Sequence, residues 1–485
     1  MTRRKKDFMT VHYLLSRPYV LRGWKKLPYA LQNYFTGKTE FFRKDVFFLL
    51  QCCDGQTAID REKLTEGEAK RFDHWLKNGF IRECTPDERL APYQKYRFYP
   101  ARFKNEVQWS ITGRCNYRCR HCLMSAPRGA QGEPGWDELM AMLDAFDRCG
   151  IRTVQLTGGE PMVRKDFWQL VDAIRARQIS ITVLYSNGLL VTDEFLDRLE
   201  KRGMRPSIQF SFDGVGHHDW MRGVPGAEKI VLDAMRRCRE RGFGFTASMV
   251  ICRESAGCIR ESVNLLASLG CLGLKIGNAS PQGEWAKETE HYLTQEEAWQ
   301  AFLDYIPQYF TDGKPMPIGL EGIFNCDRPD MDPRAYCEKN ITEESFPKAL
   351  LCGHVRSGMY VSPQGRVLPC MSMVGGPIEQ QFPSMLETPL EEILNDSLYM
   401  DIINARVSDF MAHNPECASC KYRCACCGGC RAIAVRDGST DYLKPDPIAC
   451  EYFKGGWKAK KDALLESLGV SEYKGGEIPW KSQRN

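Results

Sequence analysis

The stretch Ile111-Thr112-Gly113-Arg114-Cys115-Asn116-Tyr117-Arg118-Cys119-Arg120-His121-Cys122 decides how this chain is read. It begins at the end of a β-rich run over residues 107–112 and sets three thiols, spaced CxxxCxxC, on the loop beyond that run. A cube of four irons needs four ligands. Three thiolates on one short loop leave the fourth iron open, as a catalytic metal site requires, whereas a structural site closes its coordination with protein. A zinc site with a remote fourth ligand is the competing reading of the same spacing.

Outward from this loop the pattern repeats. Short β-rich runs lie at 153–157, 181–186, 207–212, 245–251 and 272–277, separated by helical periods. In one of these, over 136–149, Trp136, Leu139, Leu143 and Phe146 mark one face. Six β-α units predict a curved, barrel-like parallel sheet, and in such sheets ligands sit beyond the carboxyl ends of the strands. Three further motifs occupy those places: Gly158-Gly159-Glu160-Pro161, Ser186-Asn187-Gly188 and Ser211-Phe212-Asp213-Gly214. The glycines permit close backbone approach, and Glu160 offers a charge-assisted acceptor.

At 485 residues and 43% hydrophobic content the chain has room for about three domains. A formal charge of +4 on 66 basic and 62 acidic residues gives no footprint of nucleic-acid or membrane binding. No run approaches the roughly 20 apolar residues of a membrane span, and the basic start MTRRKK leads into no signal peptide, so the expected location is the cytoplasm. There, the clusters among 22 cysteines read as metal ligands, and scattered ones such as Cys149 and Cys238 as buried small hydrophobes.

The first hundred residues read as a winged-helix-like module: an apolar run at 46–50, Asp54-Gly55, a helical stretch over 66–78, then Gly79-Phe80-Ile81-Arg82. It lacks a dense basic recognition helix. After about Pro281 the β-α rhythm ends, and 307–347 reads as a linker into a cysteine-rich, loop-dominated domain. There, 359–368 alternates like a hairpin whose turn, Ser362-Pro363-Gln364-Gly365, carries Cys370 back toward Cys352.

Residues 107–285 resemble the radical S-adenosylmethionine (SAM) superfamily. The series Cys352, Gly365, Cys370, Cys417-x2-Cys420-x5-Cys426-x3-Cys430 and Cys450 resembles the SPASM domain. The fold class implied is α/β: a partial (β/α)6 radical SAM barrel with an N-terminal winged-helix-like domain and a C-terminal SPASM domain. The expected divisions are 1–100, 101–325, 326–460 and a tail, 461–485. The resemblance implies SAM and three 4Fe-4S clusters as cofactors. One cluster is held by Cys115, Cys119 and Cys122, a second by Cys352, Cys370 and Cys430, and a third by Cys417, Cys420, Cys426 and Cys450. Cys337 is the expected fourth ligand of the second cluster, ahead of Cys326, or its fourth iron stays open; Cys424 and Cys427 fall outside the pattern. Gly158, Gly159, Glu160, Pro161, Ser186, Asn187, Ser211 and Asp213 are implied SAM contacts. His121 is implied beside the adenine, and Arg222 near SAM or substrate.

The implied chemistry is cleavage of SAM to methionine and a 5'-deoxyadenosyl radical that takes an unactivated hydrogen. It implies a reducing partner such as flavodoxin or ferredoxin. Within the SPASM branch the N-terminal module resembles the leader-recognition domain of peptide maturases, which takes a peptide by β-augmentation. Sulfatase maturases carry an aspartate where Met371 follows Cys370. The expectation is a maturase that installs a thioether or carbon-carbon cross-link in a ribosomally made precursor peptide with a leader. Epimerisation, oxidative decarboxylation, a sulfatase-maturase-like activity and an iron-sulfur electron carrier are the alternatives. No acid or base residue is assignable from spacing.

Overall fold

The computed structural model describes residues 11–126, 129–279, 281–336, 338–353 and 358–472. Seven N-terminal strands form two sheets. β1 (Val11–Leu15), β5 (Asp54–Ile59) and β6 (Ile81–Cys84) pair in the order β5-β1-β6, while β2 (Tyr19–Lys25), β3 (Leu27–Asn33), β4 (Thr39–Phe41) and β7 (Arg97–Arg102) pair as β4-β3-β2-β7. Helices Lys44–Gln51 and Glu66–Lys77 cover the first sheet, with Phe47, Leu50, Phe72 and Trp75 buried against Tyr13 and Leu15. The module is therefore larger than a winged helix. The β2–β3 hairpin escapes a sequence reading because its turn uses Lys26 at φ 69°, a conformation that glycine or asparagine ordinarily supplies.

The second part is one ten-stranded sheet. β8 (Glu106–Ser110), β9 (Thr153–Thr157), β10 (Ser180–Ser186), β11 (Ser207–Ser211), β12 (Phe245–Ile251) and β13 (Leu274–Asn278) run parallel, as the six β-rich runs predict. The parallel array continues on both sides. β14 (Ile318–Leu320) joins β13, and β16 (Gly358–Val361) joins β8. β15 (Phe324–Cys326) and β17 (Val367–Leu368) close the edges antiparallel, so the sheet stays open.

This corrects two expectations. The β-α rhythm does not end at Pro281, because helix Gln295–Thr311 and β14 add another unit. The supposed linker over 307–347 begins inside that helix at Pro307, which an apolar face including Trp299, Phe302 and Ile306 holds in place despite the lost hydrogen bond. Likewise residue 100 lies inside β7, residue 325 inside β15 and residue 460 inside helix Trp457–Ser467, so none of these expected boundaries falls in a linker.

Along each strand one set of side chains packs outward against helices. Val107 and Trp109 are fully buried, with Trp109 edge-on to Phe146 of helix Trp136–Arg148 at 5.2 Å. The other set, including Gln108, Gln155 and Gln209, lines the polar concave side. The N-terminal module is fastened to this layer by Trp24, which is fully buried, stacks on Tyr99 at 5.4 Å and donates from Nε1 to Cys149 O at 2.9 Å. Among the described residues no helix is long and apolar enough to cross a membrane.

Trp24→Ala should cost about 3–5 kcal/mol, read as a lowered urea midpoint, because it empties a ring-filled site. Trp24→Phe, which keeps the ring contacts and strands one carbonyl, should cost about 1 kcal/mol. A midpoint unchanged in both would show that the module and the barrel are not joined there.

Candidate active site

The cysteine loop is held by its neighbours' backbones. Beyond β8, Gly159 N–H donates to Thr112 O at 2.9 Å and Glu160 N–H to Arg114 O at 2.8 Å; farther on, Arg118 N–H reaches Arg222 O at 3.3 Å and Arg120 N–H reaches Met221 O at 2.9 Å. Such close docking requires glycine: a Cβ on Gly158 would lie 2.4 Å from Thr112 O, and one on Gly159 2.1 Å from Arg114 O. Buried Arg164 clamps the strand end from below, donating to Ile111 O at 2.8 Å and Pro134 O at 3.0 Å.

Glu160 is fully buried. Its carboxylate accepts from Asn187 N–H at 2.9 Å, Ser186 Oγ–H at 3.2 Å and Met162 N–H at 3.4 Å, joining the ends of β9 and β10. Burial pushes this carboxyl up to about 7 against those donors. The Asn187 side chain donates to Asn116 Oδ1 at 2.7 Å and points toward Cys115 Sγ at 3.9 Å.

Asp213, at the end of β11, is also fully buried and pairs with Arg222 Nε at 2.6 Å. Its Oδ1 accepts from Val250 N–H at 3.1 Å. Burial would raise this carboxyl, but the Arg222 guanidinium holds it below the usual range; the His121 and His218 rings each lie 3.9 Å away. His121 is pulled down to about 4 by burial, so its imidazole is neutral near pH 7. Asp213 N–H donates to His218 Nδ1 at 3.0 Å, which puts the His218 proton on Nε2. Burial alone would lower Arg222; Asp213 and Cys119 outweigh it and keep the guanidinium charged. Arg222 Nη1 lies 3.6 Å from Cys119 Sγ.

The spacing of the three thiols fits a four-iron cluster better than one metal ion. Four tetrahedral thiolates on zinc stand about 3.8 Å apart. Among the described residues, only Glu338, Asp462 and Glu472 form a set of three or more ligand atoms within 4.8 Å of one another, and the Cys115, Cys119 and Cys122 sulfurs do not. Burial pushes the Cys115 thiol up to about 12, so its ionisation needs a bound cation. Tyr117 OH and His121 Nδ1 are buried without a hydrogen-bond partner and remain available to a ligand.

In the C-terminal part the hairpin β16–β17 brings Cys370 near Cys352 and Cys430. Burial, then repulsion by those two thiols, pushes Cys370 up to about 12. Cys417 is raised by burial and by Cys450 and Cys420, and Cys426 by burial and, among nearby charges, by Cys450. Cys427 is fully buried, its thiol donating to Arg423 O at 3.3 Å, as a small hydrophobe at a helix end would. Cys337 lies outside the described residues. The buried Cys326 thiol donates to Arg328 O at 3.3 Å and faces Tyr309 and Lys314. Sequence spacing gave no signal for Asn116, Tyr117, His218 or Arg164, whose roles depend on strand ends meeting.

Residues 109–266 match the radical SAM superfamily, and residues 352–425 match the SPASM iron-sulfur cluster-binding domain. An AdoMet-dependent heme synthase of Nitratidesulfovibrio vulgaris is 26% identical over 366 residues, 71% of this chain and 92% of that one. A PqqA peptide cyclase of Granulibacter bethesdensis is 28% identical over 343 residues, 69% of this chain and 84% of its own. The structure of Streptococcus suis SuiB bound to precursor peptide SuiA superposes with a TM-score of 0.61 at 16% identity, over 91% of this chain and 100% of SuiB.

Gly159→Ala should force the loop away from β9. Misplacement of this kind costs about a hundredfold in rate, read as SAM cleavage by the reconstituted enzyme. Gly257→Ala, where a Cβ meets nothing within 4 Å, should leave that rate alone. Equal activity in both variants would refute close docking of the loop.

Proposed function

Because this chain is a radical SAM enzyme with a SPASM domain, we propose that it modifies a ribosomally made precursor peptide, joining two of its side chains through a thioether or carbon-carbon bond. Cys115, Cys119 and Cys122 would hold the SAM-binding cluster. The SAM molecule would lie against Gly158, Gly159, Pro161, Ser186, Asn187 and Ser211. When bound, the two cofactors supply a carbon radical able to take an unactivated hydrogen.

The chain's own residues have distinct parts in this. Glu160, held by two backbone amides and a hydroxyl, keeps lone pairs for the amino group of SAM and charges readily near pH 7 beside it. Asp213 orients Arg222, whose guanidinium faces a cluster ligand and stabilises its negative charge. His121, neutral, offers a planar edge. Cys352, Cys370 and Cys430, and separately Cys417, Cys420, Cys426 and Cys450, would hold auxiliary clusters.

The observation that carries the peptide reading is the N-terminal module. The sequence likenesses leave more than a quarter of the chain uncovered, but the likeness to SuiB extends so far that it must include much of this module. A module with two small sheets, whose outer strands pair with another strand on one side only among the described residues, suits an extended peptide. A second reading, a porphyrin substrate, rests on the likeness to heme synthases. A reducing protein such as flavodoxin or ferredoxin would complete the system.

Incubating the reduced enzyme and SAM with short peptides encoded beside its gene should yield a peptide lighter by two hydrogens, with one 5'-deoxyadenosine formed per cross-link. A product of unchanged mass that gains deuterium from heavy water would show epimerisation instead. A porphyrin lightened by carbon dioxide and two hydrogens, with every peptide untouched, would overturn the peptide reading.

A further inference from the structure

A second cavity, of about 430 Å³, opens at the opposite end of the barrel, where β2 and the segment before β7 meet the turns that enter β9 and β10. Two guanidiniums in its wall, Arg22 and Arg152, are each only 4% exposed. Arg22 donates to three main-chain carbonyls, Leu21 O at 2.7 Å, Tyr93 O at 2.8 Å and Lys95 O at 2.9 Å. The other cations nearest its charge are Arg152 and Arg97. Arg152 pairs with Asp147 at 2.7 Å and donates to Tyr99 OH and Arg177 O, both at 3.1 Å. Nε of both arginines is buried without a partner.

Lys95, Arg97 and Arg177 add three more cations to the lining, of which Arg177 is paired with Asp144 at 2.6 Å, against Asp147 as the lining's one acid. Carbonyl bonds explain why a donor stands at position 22, but a neutral donor would serve them. Of the two buried guanidiniums only Arg152 is given a carboxylate partner, so positive charge is left in low dielectric, a cost that a counter-anion offsets. The rings of Tyr34 and Tyr93, 5.1 Å apart and tilted by 36°, give one wall an amphipathic face. Arginine forks favour oxyanions, and carboxylate and phosphate share that chemistry.

We propose that this junction cavity binds an acidic stretch of the substrate peptide, its carboxylates facing Arg22, Arg152, Lys95 and Arg97, at the end of the barrel away from the chemistry. This deepens the peptide reading and rests on it. The site spans the seam between module and barrel, so a peptide anchored there touches both.

The test uses the full-length reconstituted enzyme and a fluorescein-labelled hexaglutamate peptide, with binding read by anisotropy at fixed ionic strength. K95E/R97E, at exposed positions that leave the buried arginines intact, should weaken binding by about tenfold or more, as charge reversal at a steering site does. K229E/R236E, reversing as many charges on the exposed face of helix Ala227–Glu240, should leave it unchanged. Equal affinities in all three proteins, or equal weakening in both variants, would overturn the proposal. Displacement by millimolar inorganic phosphate but not by chloride of matched ionic strength would assign the cavity to a small free oxyanion and overturn the peptide assignment. Hexaglutamate binding that persists in an enzyme unable to change any peptide's mass would locate the failure in the proposed function, not in the cavity.

Discussion

Asp213 and Arg222, an ion pair 2.6 Å long with its carboxylate wholly out of water, fix the geometry on which the site depends. A buried carboxylate is tolerated only with a charge partner and hydrogen bonds, and this one has Arg222 and the Val250 amide. Arg222 thereby comes to rest against the Cys119 sulfur, and its own carbonyl takes the Arg118 amide. One pair thus ties the ends of β11 and β12 to the middle of the cysteine loop. Glu160 does the same for β9 and β10 from the other side, and Gly158 and Gly159 remove the side chains that would keep the loop away.

This economy explains why the thiols need no disulfide or dense core of their own. A loop with few apolar residues would be mobile if it stood alone. Here four backbone bonds to the segments that follow β9 and β11 hold it, and Arg164 holds the strand it leaves. The same logic joins the C-terminal part to the barrel: β16 adds to β8 in parallel, so the cysteines beyond the β16–β17 hairpin are positioned by the sheet that positions the first three.

Much of this was legible in the residues. The runs at 153–157 and 245–251 coincide with β9 and β12, because an apolar outward face and a polar concave face alternate without interruption. The run at 272–277 begins two residues before its strand: Leu272 is 60% exposed, and the strand starts only at Leu274. β14 carries no sequence signal, because its three residues include a glycine and show no period. The approach of Asn187 to Cys115 was beyond reach of spacing arguments, since it joins turns after separate strands that only the curved sheet brings together, and the Asp213–Arg222 pair depends on the short helix His218–Arg222 folding back on its own turn. The surplus of buried arginine at the module–barrel seam was hidden for the same reason.

Whether the loop cysteines hold a cluster of their own beside two others is read directly from metal content. Iron and zinc should be counted in protein purified and reconstituted without oxygen, in the natural sequence and in a Cys115→Ala/Cys119→Ala/Cys122→Ala variant. Four irons per cluster predict about twelve per chain falling to about eight, with SAM cleavage abolished in the variant. Zinc in place of iron, or a variant that still cleaves SAM, would contradict a cluster held by the loop.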